Sequence, residues 1–232
     1  MKVPQLICYD FDGTLCNTLP DITASMNAVL ERNGYKAIPE TRIRGFIGSG
    51  IARLVERAVH YALSEAGDGG AGAAAVAGIA EEMGKYYREH LILRSHLYPG
   101  TERVLEHFSG IPQIIVSNKP EDMVRTLLEH FGIARHFDLV AGGDTLDVSK
   151  PHPRVWEYVK GRMGFPEAPA GIMVGDSLPD VAFGRMAGLH TVAVSYGYND
   201  VPSLREAGAQ RIIDALEELK DVLPGEAVKK KA

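Results

Sequence analysis

The stretch LICYDFDGTLCNT, residues 6–18, sets an apolar run directly against two aspartates and a glycine. Leu6–Tyr9 reads as a strand covered on both faces, because its apolar residues run without alternation. Asp10 and Asp12 follow two residues apart, on one side of an extended chain and roughly 7 Å apart at about 3.3 Å of rise per residue. One unpaired carboxylate at the end of a buried strand is costly, and two are worse. The pattern calls for a cation from outside the chain.

Working outward, similar runs recur at Ile114–Val116, Phe137–Val140, Ile172–Val174, Thr191–Val194 and Ile212–Ile213. Amphipathic segments separate most of them: one starts near Pro99–Gly100, another runs from Pro120 to a stop at Gly132, and KPHPRVWEYVKGRMG and LPDVAFGRMAG follow the same scheme. Strand–helix alternation over Gly100–Leu219 predicts an α/β fold, a parallel sheet with right-handed crossovers. Residues 17–94 break the rhythm. Ile22, Met26, Val29 and Leu30 form one helical stripe, and Ile51, Leu54, Val55, Ala58, Val59 and Ala62 form another. A third helix is expected from Ala73 to Leu93, with no strand between. The chain is therefore divided into a core of residues 1–16 and 95–232 and an inserted all-helical cap of residues 17–94. Gly67–Gly72 reads as a flexible connection inside that cap.

The bulk numbers fit this organisation. With 232 residues, 45% of them apolar, the chain can bury a substantial core. A formal charge of −5 gives no basic footprint, which disfavours nucleic acid as a partner. Two cysteines, Cys8 and Cys16, make no disulfide framework, and the N-terminus lacks a signal-peptide pattern. No apolar run approaches the roughly 20 residues of a membrane span. The expectation is a cytoplasmic protein, monomer or homodimer, with no membrane partner and a solvated VKKKA tail.

Polar residues follow the strands that matter. Asp10 and Asp12 follow the first, Ser117 and Asn118 follow Ile114–Val116, Lys150 follows Phe137–Val140 through a loop, and GDSLPD follows Ile172–Val174. Ligands of open parallel sheets bind at the carboxyl ends of strands, so these groups should converge. Asp10 and Asp12 with Asp176 or Asp180 suit a hard divalent cation. Turn and capping chemistry could account for any single aspartate, and a helix cap for Ser117 and Asn118. Four aspartates at two strand ends exceed what that chemistry explains.

DFDGT (10–14), SN (117–118), KP (150–151) and GDSLPD (175–180) resemble the four motifs of the haloacid dehalogenase-like phosphohydrolase superfamily, over nearly the whole chain. The resemblance implies a Rossmann-like core with a helical cap inserted after the first motif, matching the break at residue 17. It implies that Asp10 is a nucleophile forming an aspartyl phosphate, that Asp12 is general acid and base, and that Ser117 and Lys150 hold the phosphoryl group. It also implies Mg²⁺ bound by Asp10, the backbone carbonyl of Asp12 and Asp176, with Asp180 as ligand or just behind. The chemistry is consistent with this. A carboxylate of ordinary pKa near 3.9 is already ionised, whereas protonating Asp12 at pH 7 costs about 4 kcal/mol unless neighbouring charge raises its pKa. Four aspartates beside a phosphate dianion sum to about −6, or −5 with Asp12 protonated. Mg²⁺ and Lys150 return +3, so the Ser117–Asn118 region should donate hydrogen bonds as well.

Within that resemblance Asp12 favours phosphoryl transfer over dehalogenation. Lys36 and Lys85 sit away from the loop where phosphonate hydrolysis needs a lysine. The absence of a histidine before His60 argues for hydrolysis over a phosphosugar mutase. RIRGFIGSGIARLVERA looks like the specificity loop of phosphoglycolate phosphatases, and LYPG (97–100), GGDTLDVSKPHP (142–153) and YGYN (196–199) look similar to theirs. This implies that Gly48 and Gly50 admit a small substrate and that Arg44 or Arg53 faces its carboxylate. A plain helix start at Gly48–Ser49–Gly50 with solvated arginines is the competing reading. LCNT departs from the family's usual valine–aspartate–serine. The expected substrate is 2-phosphoglycolate or a similar small phosphorylated metabolite, with pyrophosphate, nucleotides or sugar phosphates as alternatives.

Overall fold

Continuous apolar runs pair on both edges only in a parallel sheet with helices on each face, and the chain follows that rule. A computed structural model describes residues 4–66, 73–165 and 169–222. The opening run becomes β1 (Leu6–Tyr9), fully buried. Next come β2 (Cys16–Asn17), α1 (Leu19–Arg32), α2 (Glu40–Arg44), α3 (Ile51–Ala66), α4 (Ala73–Glu89) and β3 (His96–Leu97). Alternation then sets in: α5 (Thr101–His107), β4 (Gln113–Val116), α6 (Glu121–His130), β5 (Leu139–Ala141), α7 (Pro153–Met163) and β6 (Gly171–Gly175). It continues through α8 (Leu178–Met186), β7 (His190–Val194), α9 (Val201–Glu206), β8 (Arg211–Ile213) and α10 (Leu219–Val222).

Six strands form one parallel sheet in the order β5-β4-β1-β6-β7-β8. Cys8 of β1 lies opposite Ile114 of β4 on one side and Met173 of β6 on the other. The chain fills one side of β1 with β4 and β5, then crosses to β6 on the other. That reversal opens a crevice beyond the carboxyl end of β1. Leu6, Cys8, Ile114, Val116 and Met173 share one core with Val155, Trp156 and Val159 of α7 and Phe183 of α8. Trp156 meets Phe183 edge to face at 6.2 Å. Cys8 and Cys16 are free and buried, and burial pushes the Cys8 thiol well above its ordinary pKa.

The chain divides into two compact units, Met1–Asn17 with Leu97–Ala232, and Thr18–His96. In the second, α1 and α3 both pack on α4. Ile22, Met26, Val29, Leu30, Leu54, Val55, Ala58, Val59 and Ala62 of the two stripes read in the sequence are buried there, Ile51 is half-buried, and Met83 of α4 joins them. Asp21, in the first turn of α1, accepts hydrogen bonds from Arg94 N (2.9 Å), Ser95 N (2.8 Å) and Ser95 Oγ (2.8 Å).

Several boundaries differ from the sequence reading. The helix expected to reach Leu93 stops at Glu89, and a turn follows before Asp21 accepts the backbone N–H groups of residues 94 and 95. The strand expected at Phe137–Val140 begins at Leu139 instead. A 3₁₀ turn at Ala134–His136 precedes it, and the Phe137 ring packs edge-on against Tyr9 at 6.3 Å. The Gly67–Gly72 connection and the VKKKA tail lie outside the described residues. Among the described residues no helix is long and apolar enough to cross a membrane.

Candidate active site

The strand order makes β4 and β6 the neighbours of β1, so the residues following these three strands meet. Asp10 continues β1 by one further bond, its N–H donating to Val174 O at 2.9 Å. Carboxylate oxygens of Asp10, Asp176 and Asp180 all lie within 4.8 Å of one another, and all three residues are buried. Lys150 Nζ reaches in between, 3.0 Å from Asp10 Oδ1 and 2.5 Å from Asp180 Oδ1.

Each carboxylate has a different degree of satisfaction. Asp180 is the most occupied: its Oδ2 accepts from Ser177 N, Ser177 Oγ and Asp176 N at 3.0, 2.6 and 3.2 Å, at the N-terminus of α8. Asp176 accepts from Thr14 Oγ1 (3.0 Å) through one oxygen and from Tyr198 N (2.7 Å) through the other. Asp10 Oδ1 is buried and accepts no aligned hydrogen bond, meeting Lys150 only as an ion pair. It is the oxygen with unused capacity.

The electrostatics follow from this crowding. Burial first, then the neighbouring carboxylates of Asp180 and Asp10, hold the Asp176 carboxyl well above the usual carboxylate range. Burial and the Asp10 charge raise Asp180 too, with Lys150 pulling the other way. Burial would lower the Lys150 ammonium, but Asp10 and Asp180 outweigh it and raise its pKa. Three carboxylates and one ammonium leave a formal −2 when all are ionised (three negative charges less one positive). An all-oxygen set with that deficit, including a buried oxygen with no aligned hydrogen bond among the described residues, fits a hard divalent cation.

Asp12 stands apart from this cluster. After Asp12 the chain turns back, with the Thr14, Leu15 and Cys16 N–H groups bonded to Phe11 O and the Asp12 backbone bridged to Cys16. Its carboxylate pairs instead with Lys119 Nζ, at 3.1 and 3.3 Å. The expectation that four aspartate side chains crowd together is corrected to three, and a metal role for Asp12 would fall to its backbone carbonyl.

Ser117 is buried at the end of β4, its N–H donating to Ala141 O in the sheet and its Oγ accepting from Lys119 N at 3.3 Å. The Asn118 side chain, expected at the substrate, is bonded both ways to the Lys150 backbone: Nδ2 donates to Lys150 O (3.2 Å) and Oδ1 accepts from Lys150 N (2.9 Å). It ties the loop after β4 to the loop after β5, and so sets the position of Lys150. Arg44, Gly48 and Gly50 belong to the Thr18–His96 unit. Arg44 closes α2, and Gly48 and Gly50 take φ of +113° and +83° in the loop before α3. Arg57 Nη1 donates to Phe46 O (3.1 Å) and holds that loop, while Arg53 pairs with Glu56.

Four participants had no place among the expected site residues. Thr14 sits inside the quoted DFDGT, where a hydroxyl two residues past Asp12 was a usable signal. Lys119, between Ser117–Asn118 and Pro120, could have been flagged as a cation at a strand end. Tyr198 contributes only a backbone N–H, which no side-chain pattern reveals. Tyr196 donates its hydroxyl to Thr14 O (2.8 Å) and packs on Tyr98 at 4.4 Å, a contact made by fold alone.

Comparison with known proteins agrees with this geometry. The family model described as "Haloacid dehalogenase-like hydrolase" matches residues 7–194. A phosphoglycolate phosphatase of Neisseria gonorrhoeae is 35% identical over 224 residues, covering 94% of this chain and 93% of that one. A phosphoglycolate phosphatase of Haemophilus influenzae is also 35% identical, over 221 residues, covering 94% and 98%. The crystal structure of a protein from Haemophilus somnus, described as a predicted phosphoglycolate phosphatase, superposes with a TM-score of 0.87 at 32% identity, covering 96% and 99%. With a buried carboxylate trio and a lysine at the switch of a parallel sheet, and this likeness along nearly its full length, the chain belongs to the haloacid dehalogenase-like hydrolases and is phosphoglycolate phosphatase-like.

Proposed function

We propose that this enzyme is a phosphatase that hydrolyses phosphomonoesters through an aspartyl phosphate on Asp10, with 2-phosphoglycolate or a similarly small phosphorylated acid as substrate and Mg²⁺ as cofactor. The observation that carries the reading is Asp10 itself. It is a buried carboxylate at a sheet switch point whose Oδ1 is held only by the ion pair to Lys150, beside two further aspartates. The names of relatives at 35% identity support the substrate.

A carboxylate that is ionised at neutral pH attacks phosphorus without an activating base. As the new bond from Asp10 oxygen to phosphorus forms, the bond from phosphorus to the ester oxygen breaks, and Asp12 gives that oxygen its proton. In the second step water attacks phosphorus and passes a proton to Asp12. The Asp10–phosphorus bond breaks, the Asp10 carboxylate is restored, and inorganic phosphate leaves. Lys150, placed by Asn118, offsets charge on Asp10 and the phosphoryl oxygens, and the Ser117 hydroxyl donates to them. Asp10, Asp176 and the Asp12 backbone carbonyl, with Asp180 as ligand or just behind, would hold Mg²⁺, which supplies the remaining positive charge when bound. Gly48 and Gly50 let the backbone approach a small substrate, and Arg44 or Arg53 faces its acid group. The enzyme acts in the cytoplasm as a monomer or homodimer.

A phosphate-release screen over small phosphorylated acids, sugar phosphates, nucleotides and pyrophosphate tests this reading. The highest kcat/KM should fall on 2-phosphoglycolate, vanish with chelator and return with Mg²⁺. Release of no phosphate from any of them, or undiminished release in chelator, would contradict it.

A further inference from the structure

Two ammonium groups stand at the carboxyl ends of the central strands, and the chemistry above uses only Lys150. Lys119 is the other. Its side chain is 3% exposed and that of its partner Asp12 13%, so the pair is largely out of water, where charge–charge contact is screened least. A lysine carried into such a place is costly unless its ammonium is paired, and Nζ reaches both carboxylate oxygens of Asp12, at 3.1 and 3.3 Å.

Both ends of this contact are anchored. Lys119 N donates to Ser117 Oγ (3.3 Å) and Lys119 O accepts from Gly143 N (2.8 Å). The Asp12 backbone forms a bridge with Cys16. With the two backbones fixed, contact to both oxygens sets the rotation of the Asp12 carboxyl, the one degree of freedom a proton donor must control. An ammonium has only donors, so a protonated Asp12 must direct its O–H away from Lys119.

We propose that Lys119 is a positioning residue for Asp12, holding its carboxyl at the angle from which a proton passes to the departing ester oxygen. This rests on the phosphatase reading above. In that step the ester oxygen keeps the electron pair of the broken phosphorus–oxygen bond and takes the proton of Asp12. Lys119 itself forms no bond and exchanges no proton.

Two esters separate this role from phosphate binding. 2-Phosphoglycolate expels an alkoxide that needs a proton, whereas p-nitrophenyl phosphate expels a phenolate that leaves without one. The ratio kcat/KM reports the steps through departure of the leaving group. Lys119→Met should lower it about 10–100-fold on 2-phosphoglycolate and by no more than about threefold on p-nitrophenyl phosphate, since a mispositioned general acid hurts only the ester that needs it. Lys119→Gln, which keeps a donor, should show the same selectivity with a smaller loss, and serves alone if the Met variant does not fold. Lys150→Met should lose both esters together. Equal losses on the two esters for the Lys119 variants would make Lys119 a binding or structural residue, and no loss on either would leave it without a part. Each overturns the proposal while the phosphatase reading stands. A wild-type enzyme that releases phosphate from neither ester overturns that reading, and this one with it.

Discussion

Asp176 is held in a slot with no spare room. Thr14 and Tyr198 grip its two oxygens, and two glycines close on it: a Cβ at Gly197 would lie 2.1 Å from Asp176 Cβ, and one at Gly13, where φ is +81°, would lie 2.4 Å from Oδ2. Gly197→Ala should therefore displace Asp176 or the chain around it. Overpacking of this kind costs about 1–3 kcal/mol, read as a lower midpoint in denaturant, and Mg²⁺ affinity in a direct titration should fall with it. An unchanged midpoint together with an unchanged Mg²⁺ affinity would show that Asp176 is not fixed by this slot. At this scale the sequence is legible where side chains carry the chemistry. Asp10, Lys150, Asp176 and Asp180 meet as the motifs implied. It is less legible where a polar side chain serves the backbone. The side chain of Asn118, read as part of the substrate site, clamps the Lys150 backbone, a contact with a loop 32 residues away that no local pattern reveals.

Converging strands explain both the charge and its pH dependence. β1 and β6 are adjacent, so their terminal aspartates are pressed together, and burial raises Asp176 and Asp180 above their ordinary values. A carboxyl whose pKa is higher folded than unfolded stabilises the fold below its unfolded value, and that contribution is lost as pH rises through the folded value. Metal-free protein should then lose thermal stability from these groups as pH rises above the ordinary carboxylate range, while Mg²⁺, binding the ionised form, should raise Tm more at neutral than at acid pH. A Mg²⁺ shift independent of pH, or absent, would contradict the proposed cation site. Continuous apolar runs made the sheet strands legible to within one residue at each end, except β5, which starts two residues later than read. The short elements were not legible. β2, β3 and the five-residue α2 carry too few residues for any periodicity.

In the whole chain, the insertion leaves the sheet after β1 and returns to it before β4, so its two ends must stay near each other. Asp21 does this within the helical unit, one carboxylate oxygen joining the start of α1 to residues 94 and 95. Asp21→Ala would leave two backbone N–H groups and a hydroxyl without their acceptor. The cost should be about 2–3 kcal/mol, measured by denaturant unfolding, and a loss under about 0.5 kcal/mol would mean that water replaces the contact. That junction was invisible in the sequence, since an acidic residue in a first helical turn already has a sufficient local reason to be there. The α/β alternation and the helical insertion were visible, because both rest on patterns many residues long. What the molecule does turns on Asp10 as nucleophile, and the most direct test is rapid-quench mass spectrometry of the enzyme during turnover of 2-phosphoglycolate with Mg²⁺. A transient gain of one phosphoryl group on the peptide containing Asp10, absent in Asp10→Asn together with phosphate release, is the predicted result. Phosphate released at the wild-type rate by Asp10→Asn, or a phosphoryl group found on any other residue, would contradict it.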